Sequence, residues 1–121
     1  MKTGIDIVEV KKIKRHISKK NFILKIFSDR EINYCEKFKN KAERYSAKFA
    51  AKEAVIKAFK SDNNDFNFNL RDIEILNNEN GAPYVFIDGL KIKGSLSVSH
   101  TSSYALAVFI LEKYYEDDKD R

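Results

Sequence analysis

Three separated stretches of this 121-residue chain set groups capable of chemistry among apolar or hydroxyl-bearing neighbours. The first is Gly4-Ile5-Asp6-Ile7-Val8, a β-branched run with one acid inside it. An ionised carboxylate in an apolar strand needs a partner or a cation, unless alternation simply turns it to solvent. The second is Phe49-Ala50-Ala51-Lys52-Glu53-Ala54-Val55-Ile56-Lys57. Phe49, Glu53 and Lys57 stand four apart and share one side of a helix. Burial of Phe49 and Ile56 predicts Glu53 at the edge of the core. The plainer alternative is an exposed Glu–Lys pair worth about 0.3–0.5 kcal/mol. Two carboxylates meeting from a strand and a helix would suit a hard cation, Mg²⁺ most naturally. That ion takes one or two protein carboxylates and fills its octahedron with water and phosphate oxygens. The third stretch is Ser99-His100-Thr101-Ser102-Ser103. Its histidine ends an alternating segment and enters a hydroxyl-rich turn, which either binds an anion or closes the strand as a polar end.

These residues need elements to hold them. Residues 4–8 read as a short strand. From Glu9 the spacing changes: Val10, Ile13 and Ile17 recur at three and four with lysines between them, which predicts an amphipathic helix. His16 on that helix is expected to be exposed. Ser28 stands three residues ahead of Glu31, a capping box that starts a helix including Ile32, Tyr34 and Phe38. The longest helical signal spans 42–59, rich in Ala, Lys and Glu and free of Gly and Pro. Tyr45, Phe49, Ile56 and Phe59 mark its broad face. Residues 61–65 break the pattern as a loop. Beyond them, 71–76 and Pro83–Ile87 read as strands joined by Asn77-Asn78-Glu79-Asn80-Gly81. The Asn-Gly pair signals a hairpin turn because both residues tolerate positive φ. Residues 95–100 alternate in period two, with His100 on the face of Leu96 and Val98. Tyr104–Leu111 is a near-continuous apolar strand, expected at the centre of its sheet. Helices cluster early and strands late, so the class is α+β, with a largely antiparallel sheet packed against a long helix. One domain is expected over 1–115, with 116–121 as a polar tail.

Composition limits the setting. The formal net charge is +5. Residues 1–25 hold eight bases against two acids, a net of +6, so the remainder is nearly neutral. Such asymmetry points to an acidic partner (nucleic acid, anionic membrane or acidic protein) or to a plain solvated helix face. Cys35 is the only cysteine, which excludes an intrachain disulfide and fits a reducing compartment. It has no histidine near it in sequence, so nothing there supports a nucleophile. The longest apolar stretch, Tyr104–Leu111, falls far short of the ~20 residues that span a bilayer. The first residues form no apolar leader, and the expected compartment is the cytoplasm. The chain carries no phosphate-binding glycine loop and no dinucleotide fingerprint.

Together the stretches resemble the holo-(acyl-carrier-protein) synthase family of 4′-phosphopantetheinyl transferases. The resemblance rests on 4–13, on 48–59, and in support on Asn80-Gly81-Ala82-Pro83-Tyr84 with Val98-Ser99-His100-Thr101. It implies transfer of the phosphopantetheine arm of coenzyme A to a serine of an apo acyl carrier protein, releasing adenosine 3′,5′-bisphosphate, in fatty acid biosynthesis. It implies Mg²⁺ as cofactor, held by Asp6 and Glu53. Glu53 and Lys57 would be catalytic. Lys48, Lys57, Gly81, Pro83, His100 and Thr101 would bind coenzyme A. Lys12, Arg15 and Lys19 would dock the acidic carrier, their charges mainly raising the on-rate. A homotrimer with sites at subunit interfaces is implied too. Neither nucleic acid nor membrane enters this reading; a small basic nucleic-acid-binding module and an inactive carrier-binding adaptor are the rivals. Three positions depart from the family pattern. Lys48 stands for a common Arg, which replaces a bidentate phosphate contact by a point charge. Lys60 stands for a common Gly at the helix end, and Ala82 for a common Lys.

Overall fold

The computed structural model describes residues 1–62 and 66–112; the polar tail lies outside them. Strand β1 (Lys2–Glu9) leads into three short helices: α1 (Val10–Ile17), α2 (Lys20–Ile26) and α3 (Asp29–Cys35). The long α4 (Lys41–Asp62) follows. A 3₁₀ turn (Leu70–Asp72) then opens β2 (Ile73–Asn77), β3 (Pro83–Ile87), β4 (Leu90–Lys91), β5 (Gly94–His100) and β6 (Tyr104–Leu111). The class is α+β, as expected. The single sheet is corrected to two antiparallel ones, ordered β1-β6-β5 and β2-β3-β4. The continuous apolar run of β6 does take the centre of its sheet.

Several boundaries differ from expectation for local reasons. The helix expected over Val10, Ile13 and Ile17 forms as α1; the Ser18 hydroxyl then donates to Arg15 O at 2.7 Å and the chain turns into α2, which was not expected. The capping box forms, with Glu31 N donating to Ser28 Oγ and Ser28 N to Glu31 Oε1, but α3 stops at Cys35 and leaves Phe38 beyond it. Helix α4 runs on through Ser61 and Asp62, where a loop was expected to begin. The Asn80-Gly81 link is not a two-residue turn. Only Gly81 has positive φ, and Asn78 Oδ1 accepts from Asn80 N and Ala82 N to round a longer loop. The tight turn lies at Asp88-Gly89, both with positive φ, between β3 and β4.

Helix α4 is buried on more than one side. Ala50, Ala51, Ala54, Val55 and Ala58 pack on the inner faces of both sheets, against Ile73, Ile75, Val85, Ala105, Ala107 and Phe109. Its first turns close a second cluster of Ile13, Ile26, Phe27, Cys35 and Tyr45. The broad apolar face read from Tyr45, Phe49, Ile56 and Phe59 is therefore divided between two clusters, and alanines make the close contact with strands. Between the clusters runs a buried ion pair, Lys52 Nζ to Glu31 at 2.7 Å, with both side chains 0% exposed. Lys52 also donates to Leu70 O and Ile73 O, while Glu31 accepts from Ile75 N at 2.7 Å. Three ammonium protons thus meet three oxygens, the condition under which a buried charge is tolerated. The pair fastens β2 to α3 and α4.

Candidate active site

Strand β1 alternates: Gly4, Asp6 and Val8 turn toward α4, while Ile5 and Ile7 turn outward. The helix can press on the strand because Gly4 has no side chain. A Cβ there would lie 1.8 Å from Ala54 O and 2.7 Å from Ala58 N. Two residues further, Asp6 meets the same helix. Lys57 Nζ donates to Asp6 Oδ1 at 2.9 Å and to Ile5 O at 3.0 Å. The Asp6 side chain is only 15% exposed, so alternation does not turn it to solvent; that of Lys57 is 53% exposed. Lys57 is therefore paired with the strand rather than with its helical neighbour.

Glu53 lies one turn before Lys57 and is half-buried, at the edge of the core as expected. Burial raises its affinity for a proton, and the nearby charge of Asp6 raises it further, against the opposing pull of Lys57 and Lys60. A half-buried carboxylate whose charge is disfavoured by a second one beside it makes, with that neighbour, a donor set suited to a hard cation. Among the described residues no group of three or more His, Cys, Asp or Glu forms an all-protein cage. Two carboxylates with solvent on one side leave positions for water and phosphate oxygens, the manner in which Mg²⁺ is commonly held.

A second depression, about 150 Å³, opens further toward the start of α4. Lys48, Gly81, Pro83 and His100 all line it, with Tyr34, Arg44 and Asn77. Four of the six residues expected to bind coenzyme A therefore share one pocket, although 52 positions separate the first from the last. Of the other two, Lys57 belongs to the carboxylate cluster. Thr101 Oγ1 accepts from Ser103 N and Tyr104 N, both at 3.1 Å, and shapes the turn after β5. The Lys48 ammonium is engaged within the chain. It donates to Ile75 O and to Asn77 Oδ1 at 2.8 Å and lies 4.5 Å from the centre of the Tyr34 ring. Burial lowers its pKa. His100 Nδ1 lies 2.9 Å from Glu43 Oε1.

Lys12 and Arg15 are exposed on α1. Lys19 is equally exposed but caps the start of α2, so the three basic residues come from two elements. Lys11 and Lys14 face a groove of about 870 Å³, opposite Lys39 and Lys41 and rimmed by Ser102 and Ser103. His16 is exposed, as expected, and stacks on Phe22 with centroids 5.0 Å apart. Cys35 is fully buried, and burial pushes its thiol up to about 12, which leaves it unreactive. No helix of the described residues is long and apolar enough to cross a membrane.

A family model of the 4′-phosphopantetheinyl transferase superfamily matches residues 2–109. The chain belongs to that superfamily. It is 39% identical over 110 residues to a holo-[acyl-carrier-protein] synthase of Thermodesulfovibrio yellowstonii, covering 89% of this chain and 95% of that protein. It is 42% identical over 123 residues to the synthase of Ruminiclostridium cellulolyticum, covering 92% and 91%. Its fold overlays the crystal structure of the Bacillus anthracis synthase in complex with CoA (3′,5′-ADP) with a TM-score of 0.77. That match has 30% identity and covers 92% of this chain and 95% of the other.

Family membership and geometry together expose what sequence reasoning passed over. Glu43 and Arg44 fell within the helical stretch and were given no role there, yet Arg44 lines the pocket and Glu43 meets His100. Their signal was spacing: Arg44 is four residues before Lys48, one helical turn away on the same side. Lys39 and Lys41 lie opposite α1 across the groove, where the sequence alone gave them no partner.

Proposed function

We infer that this chain is a holo-(acyl-carrier-protein) synthase. It moves the 4′-phosphopantetheine group of coenzyme A to a serine of an apo acyl carrier protein and releases adenosine 3′,5′-bisphosphate. The observation that carries this is the meeting of Asp6, Glu53 and Lys57 at the crossing of β1 and α4, in a chain that matches the superfamily over most of its length.

The chain's own groups divide the work. Asp6 and Glu53 would hold Mg²⁺, and that ion when bound supplies charge to offset the pyrophosphate and the transferring phosphoryl group. Lys57 has two protons on Ile5 O and Asp6 and a third facing solvent, from which it donates to the pyrophosphate and steadies the leaving group. Glu53 keeps a second oxygen with which to take the proton of the incoming serine. The pocket of Lys48, Gly81, Pro83 and His100 receives the nucleotide end, with Thr101 in the turn that follows His100. Lys12 and Arg15 on α1, with Lys19 beside them, face the acidic carrier.

We read the molecule as a homotrimer. Support comes from the outer face of the β1-β6-β5 sheet, where Ile5, Ile7, Tyr104 and Leu106 are 56%, 61%, 51% and 38% exposed. Ile7 pairs with Leu106 and Ile5 with Val108, so the patch is continuous across two strands, the kind of surface that marks an interface. Fatty acid biosynthesis in the cytoplasm is the setting this reading implies.

The decisive experiment incubates the purified chain with coenzyme A, Mg²⁺ and an apo carrier protein and weighs the carrier. A gain of one phosphopantetheine per carrier is expected. An unchanged mass, beside a control enzyme that does modify the same carrier, would refute the reading.

A further inference from the structure

Helix α2 ends without a cap of its own. Only Phe27 and Ser28 separate it from α3. Both are extended and neither is glycine, so the chain makes no left-handed closing turn. Phe27 N still donates to Ile23 O at 2.9 Å, but the next amide, Ser28 N, is taken by Glu31 Oε1 in the capping box of α3. Leu24 O therefore lacks the amide that a continuing helix would bring to it. The donor comes instead from Arg71, on the 3₁₀ turn that opens β2. Its Nη1 donates to Leu24 O at 2.8 Å and to Phe27 O, and its Nη2 donates to Asp29 Oδ1 at 3.1 Å. A cation at the carbonyl end of a helix also meets the favourable end of its dipole. The two carbonyls converge on one nitrogen, whereas the Asp29 side chain is 85% exposed and its ion pair adds little.

The segment that carries Arg71 also holds the helix of the carboxylates. Leu70 O and Ile73 O, on either side of Arg71, accept from Lys52, the residue before Glu53 on α4. Residues 70–73 thus grip α2 through a side chain and α4 through two carbonyls. The position of α2 bears on docking because α2 continues the basic surface of α1. Lys19, Lys20 and Lys25 are exposed around Leu24, which is itself 44% exposed. An apolar centre with a basic rim suits an acidic protein partner. Seven residues are too few to hold a helix by themselves, so α2 depends on its anchors. These are the buried Ile26 and Phe27, the stack of Phe22 on His16, and Arg71.

We propose that Arg71 is a positioning residue for carrier docking: by capping α2 from the segment that also holds α4, it fixes the basic docking face relative to Asp6 and Glu53. The proposal rests on the reading that α1 and the start of α2 receive the acidic carrier. Arg71 touches neither substrate in this scheme. It acts through Leu24 and Phe27, whose carbonyls it holds, and so through the lysines that α2 presents.

The test is steady-state transfer by the full chain, with KM measured separately for an apo acyl carrier protein and for coenzyme A, in the native protein, Arg71→Met, Arg71→Lys and Asp29→Asn. Arg71→Met should raise KM for the carrier at least about five-fold and leave KM for coenzyme A within about two-fold. Arg71→Gln, which keeps a polar end without the charge, takes its place if the methionine variant does not fold. Arg71→Lys should hold KM for the carrier within about two-fold of the native value, because one ammonium can serve two carbonyls that converge on a point. Asp29→Asn should change neither constant. A role in folding alone would lower the melting temperature without separating the two KM values. Equal changes in both constants, a native carrier KM in a folded Arg71→Met protein, or an Arg71→Lys protein as impaired as Arg71→Met overturns the proposal. Direct titration with the carrier separates the two readings. If the native chain transfers and Arg71→Met binds the carrier as the native chain does, the enzyme reading stands and this proposal falls. If the native chain transfers nothing yet binds the carrier, and Arg71→Met loses that binding, this proposal stands and the enzyme reading falls.

Discussion

A Cβ added to Gly4 would lie 1.8 Å from the carbonyl oxygen of Ala54, well inside van der Waals contact. The atom met is backbone, which cannot swing away. The strand carrying Asp6 and the helix carrying Glu53 and Lys57 are therefore as close as main chains permit, and that closeness brings an acid on residue 6 to a lysine on residue 57.

Gly4→Ala should cost about 3 kcal/mol or more of stability, because α4 must lift off β1 against its alanine packing. Whatever fraction stays folded should transfer about 100-fold more slowly, as a shift near 1 Å at the carboxylates degrades alignment. Urea unfolding and steady-state kinetics check both. Normal stability and turnover would mean that the helix does not need this contact.

Glu53→Gln should abolish transfer and yet stabilise the metal-free protein. Burial and then Asp6 raise the Glu53 pKa, so the folded chain holds that proton more tightly than the unfolded chain does. Stability conferred by the protonated form is lost as pH rises through the ordinary glutamate value of about 4.3 and upward, and the full penalty is present at neutral pH. Removing the charge should raise the melting temperature by a few degrees at pH 7 and by nothing near pH 4. A lower melting temperature at pH 7 would contradict the placement of the two carboxylates.

Lys52→Met alone should destabilise by about 3–5 kcal/mol, since it strands the Glu31 carboxylate in the core. Glu31→Gln with Lys52→Met should cost clearly less than the sum of the single changes. Additive free energies in a double-mutant cycle would show that the pair is not coupled.

Much of the fold was legible before any coordinates. The unbroken apolar run of Tyr104–Leu111 announced a central strand, and the Gly- and Pro-free 42–59 stretch announced α4. The residues alone offered Asp6 and Glu53 as two carboxylates that could share a hard cation, and the resemblance implied that they do; spacing could not place them near one another, because proximity across 47 positions depends on tertiary packing. The Glu31–Lys52 pair stayed hidden for a related reason. Charged residues read as surface until a structure shows each with a buried partner. Glu31 was recognised as a cap, and the cap does form, but its second oxygen reaches Ile75 N in another element. The Asp88-Gly89 turn was outweighed by the more conspicuous Asn80-Gly81.

Reversing Lys12 and Arg15 to Glu should raise KM for the carrier by about ten-fold or more while leaving KM for coenzyme A within about two-fold, and the effect should shrink as salt is added. Equal changes in both constants would place these residues in folding or catalysis rather than docking.

Strand β1 shows a different residue on each side of itself at every step: Gly4, Asp6 and Val8 inward, Ile5 and Ile7 outward. A slip of one position would exchange the faces, sending the carboxylate to solvent and two isoleucines against the alanines of α4. On the proposed reading of Asp6, catalysis and surface chemistry are encoded in the same eight residues, interleaved letter by letter. An insertion or deletion in β1 would then be exposed to selection twice, once through lost turnover and once through altered assembly or solubility. Over evolutionary time the strand can exchange individual side chains but has almost no freedom to change length.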